Sequence, residues 1–392
     1  MARFVNILSR LIKGDRIIWG IIAVLLMISI VIVYSATGTL AFLKSHDTSS
    51  FIIKRMGLIV FCGLIMITIS HINYKMFSAF AGIVLFLGLL SLIALPFFGI
   101  DVNGTKRWLP VFGFTIQPSE FAKIGLIMYT CKILARFQGE KYCLDKAFKH
   151  IVIVSGLVLM MIFISDFSSS AILGVIIMVI CIVGRVRMRL IGKFMGIMLV
   201  AATLFIASSF VLPMPNRVAT IQNRVLSYFG MNSNETSNDT YKHQIDQSKI
   251  AIATGGYIGL GVGKSVQRNF LPLAFSDFIF AIIVEEGGLV VGLFVLLLYL
   301  ILMYRAGKLV YRSTRVFPAL LTFGLTFGIV FQALINIGVA VDFFPITGQP
   351  LPLVSMGGSS LLFTCISLGM ILSVTNSIRE EEKEALEEHI NE

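Results

Sequence analysis

Few acidic residues in this chain stand inside apolar surroundings, so each can be weighed for chemistry. Asp277 lies in LPLAFSDFIFAIIVEEGG (271–288), where a loop gives way to an apolar helical run. A carboxylate there could cap free backbone N–H groups at a helix start, or act as a general base at a membrane edge. The two tasks pull apart. A helix N-terminus favours the charged form, whereas a base works best near the operating pH. Glu285 and Glu286 follow roughly 12 Å deeper, at 1.5 Å per residue. Inside an apolar run they must face protein or water. Asp166, in ISDFSSS (164–170), reads as a turn or N-cap residue or as a functional acid. In QPSEFAK (117–123), Gln117-Pro118-Ser119 marks a helix start with a proline and a hydroxyl cap. Glu120 and Lys123 then share one helical face, opening an otherwise apolar helix. Just upstream, Lys106-Arg107-Trp108 suits interfacial anchoring or the capture of an anion. The stretch 213–276 adds Arg217, Gln247 and Lys264, with Arg268 nearby.

These residues need elements to position them. Of 392 residues 57% are hydrophobic and only 14% charged, with mean hydropathy +0.90. A soluble domain would carry about 25% charged residues. The composition excludes an ordinary cytosolic enzyme, a disordered chain and a disulfide-stapled module. The fold expected is an all-α integral membrane protein. About ten spans are predicted: 17–38, 56–72, 79–100, 119–137, 150–165, 170–184, 191–212, 278–304, 317–341 and 358–377, with a long extracytoplasmic loop between the seventh and eighth. The first span is too long for a removable signal peptide. Residues 1–378 form one membrane domain and 379–392 an acidic, helix-prone cytoplasmic tail.

The formal charge of +11 could suggest nucleic acid. Placing the N-terminus inside, however, puts 19 of the 32 Lys and Arg residues in inside segments, including Arg305, Lys308, Arg312 and Arg315. The charge is therefore a topology signal, not a nucleic-acid footprint, and both termini are cytoplasmic. All the polar features above then fall on the outer side. Within the outer loop, 231–241 reads as disordered, and 245–263 as a re-entrant or interfacial segment. GLGVGKS (259–265) is not a phosphate loop, because Ile258 stands where the first glycine belongs. Asn234 and Asn238 open formal sequons that are short enough to be chance. Five Cys and five His are dispersed without metal-ligand spacing, so no metal site is predicted.

The combination resembles the SEDS family, the group of FtsW, RodA and SpoVE, over almost the whole chain. The resemblance rests on YSATG (34–38), NGTKRWL with QPSEFAK (103–123), IDQSKIAIATGGYIGLGVGKSVQRNFLP (245–272), SDFIFAIIVEEGG (276–288) and PITGQPLPLVSMGGSSLL (345–362). There are departures. The family's Glu-x-His-Thr-Asp is Leu-Ala-Phe-Ser-Asp here, at 273–277, so no role for that His carries over. Its Gln-Pro-Asp-Leu-Gly-Thr keeps only Asp166. Its Ser-Tyr-Gly-Gly is Ser355-Met356-Gly357-Gly358.

The resemblance implies a peptidoglycan glycosyltransferase of the bacterial cytoplasmic (inner) membrane that polymerises lipid II, the undecaprenyl-linked disaccharide-pentapeptide. Asp277 matches the family's essential aspartate, and Asp166, Glu120 and Lys123 match positions needed for activity or architecture. Lys106, Arg107, Arg217 and Lys264 are the expected pyrophosphate contacts, with Gln247 a further substrate contact. A divalent cation, magnesium or manganese, could share that task. The texture of 345–362 favours an FtsW-like division role over a RodA-like one. The partners expected are a class B penicillin-binding protein, which supplies crosslinking, and divisome proteins. A lipid II flippase, with Glu285, Glu286, Gln332 and Asn336 lining a path, and a non-enzymatic scaffold are the rivals.

Overall fold

A computed structural model describes residues 13–43, 48–102, 105–111, 114–138, 141–196, 200, 235–271 and 276–391. The described helices are α1 (Arg16–Leu43), α2 (Thr48–Ser70), α3 (Tyr74–Phe98), α4 (Pro118–Phe137), α5 (Lys141–Ser165), α6 (Phe167–Val183), α7 (Glu235–Gly255), α8 (Ile279–Arg312), α9 (Val316–Ala340) and α10 (Gly358–Asn391). Six of these are long and apolar enough to cross a membrane, and α6 and the Arg55–Ser70 part of α2 are shorter apolar helices. The helical membrane fold expected from hydropathy is therefore present. The seventh predicted span, the first part of the expected long loop 213–276, Arg217 and Asn234 lie mostly or wholly outside the described residues.

The helices run further than the apolar stretches. α2 begins at Thr48 and α5 at Lys141, because hydropathy marks the hydrocarbon-facing part while the backbone stays helical past the interface. α4, with Glu120, Lys123, Lys132 and Arg136, falls short of a spanning composition, yet it is deeply packed, with Leu126, Cys131 and Leu134 no more than 1% exposed. Its charged start is held inside protein, where lipid never meets it. α3 shows the other pattern. Phe86 and Phe97 are exposed, as lipid-facing side chains must be.

Three local readings change. The loop 101–116 contains an antiparallel three-stranded sheet, β1 (Ile100–Val102), β2 (Thr105–Val111) and β3 (Phe114–Ile116), with Asp101 opposite Lys106 and Pro110 opposite Thr115. Most of the segment expected to be disordered, 231–241, is the first part of α7. A polar run without periodicity extends a helix once its other half is packed. Ser119 is not the cap of α4. Gln117 is the N-cap, without a side-chain bond, and Pro118 is the first helical residue.

The bundle has two chemically distinct ends. At one, Asp15 pairs with Arg305, Arg187 with Asp145 at 2.8 Å, and Arg315 with Glu381 at 3.6 Å. At the other lie the small sheet, the α5–α6 turn, the start of α8 and the α9–α10 connection. That connection, 341–357, is irregular backbone buried among helices. Leu351, Leu353 and Val354 are at most 2% exposed. Asp342 and Leu353 take left-handed φ values of 61° and 65°, uncommon for residues with a Cβ.

Candidate active site

Irregular backbone at membrane depth is tolerable only where protein satisfies its polar groups. Side chains from four helices do so here. Ser29 of α1 donates to the Val354 carbonyl at 2.8 Å, Arg55 of α2 to Ser355 O at 3.1 Å, and Tyr299 of α8 to Pro352 O. From α9, Gln332 donates to Pro350 O at 3.0 Å, and Asn336 to Gln349 O at 2.8 Å. Gln332 and Asn336 are therefore not free to line a transport path. They hold the loop. Arg55 is 5% exposed and also donates to Ser29 Oγ at 2.7 Å. An arginine within FIIKRMGLIV was a signal of such a partner, since an unpaired cation in an apolar helix is costly.

Asp277 sits against this loop. It is not the cap of α8. Phe278 occupies that position and makes no side-chain cap bond. Ser276 Oγ donates to Asp277 Oδ1 at 2.9 Å, which leaves a hydroxyl neighbour where the family's threonine stands. The Asp277 carbonyl accepts from Asn336 Nδ2 at 2.8 Å, and that of Ser276 from Ser355 Oγ at 2.8 Å. Asp277 Oδ2 lies against Gly348, where an added Cβ would come within 3.8 Å. Gly348 has φ 69°, so a glycine suits the turn.

Asp166 joins the same assembly. α5 ends at Ser165 and α6 begins at Phe167, so the chain turns between them on this single residue. Its carboxylate caps α6, taking Ser169 N at 3.3 Å and Ser169 Oγ at 2.8 Å. Gln349 Nε2 donates to the same Ser169 Oγ at 2.9 Å. Asp166, Ser169, Gln349, Asn336 and the main chain of Asp277 thus form one hydrogen-bonded chain, which passes through the carbonyls of Gln349 and Asp277. Ser169 and Gln349 were not singled out from sequence, because small polar residues and loop glutamines carry no periodic signal.

The basic step of β2 divides between two targets. Successive strand side chains point to opposite faces. Lys106 Nζ donates to Pro96 O at the end of α3 (2.7 Å), and Arg107 Nε to Ser165 O (3.0 Å), with Arg107 NH1 3.9 Å from Asp166 Oδ2. At the start of α4, Lys123 Nζ sits 2.8 Å from both Glu120 oxygens and 3.1 Å from Gln332 Oε1. This pair lines a small cleft that also touches Pro352 and Phe363. Lys264 is exposed and Gln247 half-buried, and no bond brings either to the Asp277 assembly. α7 itself is docked beside it. Ser248 Oγ donates to Ala340 O at 2.7 Å, and Lys249 pairs with Asp342.

The two buried glutamates brace this end of α8. The helix breaks at Gly288 (φ 77°, ψ 175°), a conformation open essentially to glycine alone. The glycine-rich turn after α7 clasps the break. Leu260 and Gly261 donate to the carbonyls of Glu285 and Glu286, both at 2.9 Å, and Leu289 donates to Gly256 O at 2.9 Å. The Glu285 carboxylate accepts from Val266 N (3.0 Å), Gln267 N (3.2 Å) and Ser265 Oγ. Glu286 accepts from Ser35 Oγ, to which Arg268 also donates. The segment expected to be re-entrant is therefore a helix followed by a backbone clasp. Among the described residues no three His, Cys, Asp or Glu side chains gather as metal ligands.

Residues 15–380 match the family described as "Cell cycle protein", that of FtsW, RodA and SpoVE. The chain is 31% identical over 369 residues to the probable peptidoglycan glycosyltransferase FtsW of Hydrogenovibrio crunogenus, covering 92% of this chain and 91% of that protein. It is 31% identical over 372 residues to the stage V sporulation protein E of Bacillus subtilis, covering 93% and 98%. Its fold superposes on a chain of a peptidoglycan synthase complex described as coordinating polymerization and crosslinking, with TM-score 0.72 at 22% identity over 93% and 98% of the two chains. It also superposes on the rod shape determining protein RodA of Thermus thermophilus, with TM-score 0.64 at 21% identity over 92% and 96%.

Proposed function

The chain belongs to the FtsW/RodA/SpoVE family of cell cycle proteins, and from that premise we propose that it is a peptidoglycan glycosyltransferase. It polymerises lipid II at the outer face of the cytoplasmic membrane, in septal wall synthesis. The observation that carries this reading is the hydrogen-bonded chain that links the main-chain carbonyl of Asp277 to the Asp166 carboxylate through Asn336, Gln349 and Ser169, set at one end of a membrane bundle. A lipid-linked sugar has to be handled at such a bilayer edge. The several FtsW relatives favour the septal role over a RodA-like one.

In this mechanism Asp277 is the general base. It takes the proton from the acceptor sugar's 4-hydroxyl while that oxygen bonds to the donor's anomeric carbon. The bond from that carbon to the pyrophosphate breaks with inversion, and the undecaprenyl pyrophosphate leaves. Ser276 Oγ, bonded to Oδ1, steers the carboxylate and leaves Oδ2 on the side of Gly348. Arg107 is held at the mouth of the site by Ser165, where its terminal nitrogens can meet pyrophosphate oxygens. Lys106, Lys264 and Arg217 supply further positive charge, and Gln247 a polar contact on α7. Magnesium or manganese, if used, would neutralise developing phosphate charge. A lone carboxylate with substrate oxygens and water suits magnesium, which rarely has an all-protein cage.

A class B penicillin-binding protein and divisome proteins are the partners this role calls for. The flippase alternative loses support, because Gln332, Asn336 and Glu285 all have protein partners. Asp277→Asn is expected to abolish glycan polymerisation from purified lipid II in detergent, where there is no membrane to cross. Polymer formation by that variant would sink the proposal, and growth supported by an inactive variant would favour a scaffold.

A further inference from the structure

We propose that the end of the bundle opposite Asp277 binds the phosphate of an anionic phospholipid, in a basic recess between α8, α10 and the start of α1. The recess is open to solvent. Arg305, Lys308 and Arg312 line it from α8, three and four residues apart and so on one helical face. Arg379 lines it from α10 and donates to Gly14 O at 2.9 Å. Two acids accompany these four cations. Asp15 is committed to Arg305, whose Nε donates to Oδ2 at 2.9 Å. Glu382 stands 3.9 Å from Arg312, with both side chains about half exposed. The local charge is therefore positive, and Lys308 is exposed.

The surroundings select a lipid over a soluble anion. Tyr304 and Tyr311, one turn to either side of Lys308, are 69% and 92% exposed. Exposed tyrosines mark the headgroup level of a membrane protein. Leu293, Leu297, Leu300 and Tyr304 are all exposed, and their spacing of four, three and four makes one apolar stripe that leads along α8 to Lys308. Acyl chains can lie along the stripe while the phosphate reaches the cations. Basic pockets between helices at this depth are a recurrent means of binding anionic headgroups. Glu382 is the built-in competitor for that phosphate. The inference does not depend on the catalytic reading, since it involves none of the residues around Asp277.

The test uses the full chain in nanodiscs of phosphatidylglycerol mixed with phosphatidylcholine, with the lipids retained on the released protein counted by native mass spectrometry. Phosphatidylglycerol should be enriched over phosphatidylcholine. Lys308→Gln with Arg312→Gln should lower the enrichment about fivefold per charge removed. Glu382→Gln should raise it, a gain that loss of folding cannot produce. Equal retention of the two lipids by the unaltered protein, or unchanged enrichment in the double variant, overturns the proposal. Displacement of phosphatidylglycerol by an equal concentration of inorganic phosphate would make the recess a soluble-anion site and overturn the lipid assignment.

Discussion

Glu120 and Lys123 illustrate what can be read at the scale of single residues. Their i, i+3 spacing predicted the contact, and the structure adds the third member, Gln332, from a helix 209 residues away in sequence. Both side chains are largely buried, at 9% and 13% exposure. Removing one partner leaves an uncompensated charge, so Glu120→Gln or Lys123→Met alone should destabilise by about 3–5 kcal/mol. The double variant Glu120→Leu/Lys123→Met should recover most of that in thermal unfolding. If the pair only builds the cavity wall, polymerisation returns with stability. If polymerisation stays lost in the stable double variant, the charges act on substrate. Asp166 shows the reverse situation. The structural reading, an N-cap, is correct, and the same carboxylate also takes part in the chain to Asp277. Capping and site architecture are one arrangement in this residue.

At the scale of elements, the break in α8 is the feature with the most consequences. A helix of 34 residues interrupted at Gly288 places two carboxylates beside a glycine turn that has come from α7. A Cβ at Gly259 would lie 2.3 Å from Glu286 O, and one at Gly288 would lie 2.3 Å from Tyr257 O. Both positions also have positive φ. Gly259→Ala and Gly288→Ala should each cost at least about 1–3 kcal/mol, read as a lowered unfolding midpoint. Their polymerisation should fall as well, because the clasp braces the helix that follows Asp277. Wild-type midpoints in both variants would show that the clasp is not tight. The sequence flagged this stretch as glycine-rich and apolar but could not say what it touches. Backbone-to-backbone contacts leave no side-chain pattern to read.

For the whole molecule, the sorting of charge by side and the sorting of contacts by end agree. The residues assigned to the inside, such as Arg305, Arg312 and Arg379, meet at one end, and Arg107, Asp166 and Asp277 meet at the other. Thiol labelling can check which end faces the cytoplasm. Cys62, Cys131, Cys181 and Cys365 are buried, so with Cys143 replaced by Ser the background should be low. Ile258→Cys and Tyr311→Cys lie at strongly exposed positions. An impermeant maleimide added to intact cells should label the first and spare the second. The opposite pattern would invert the topology and remove the site from the outer face.

Hydropathy, basic-residue placement and a handful of improbable strings determined the class of this protein, its long apolar helices and the identity of the acids to watch. Those properties are local, each decided by residues near one another in the chain. Only the tertiary structure decided that Gln332, Asn336, Tyr299 and Arg55 hold a buried loop, that Gln349 joins Asp166 to Asp277, and that Glu285 closes a turn. Each of those roles depends on satisfying a polar group from a distant segment. Desolvation makes that partnership obligatory, and the one-dimensional pattern does not name the partner.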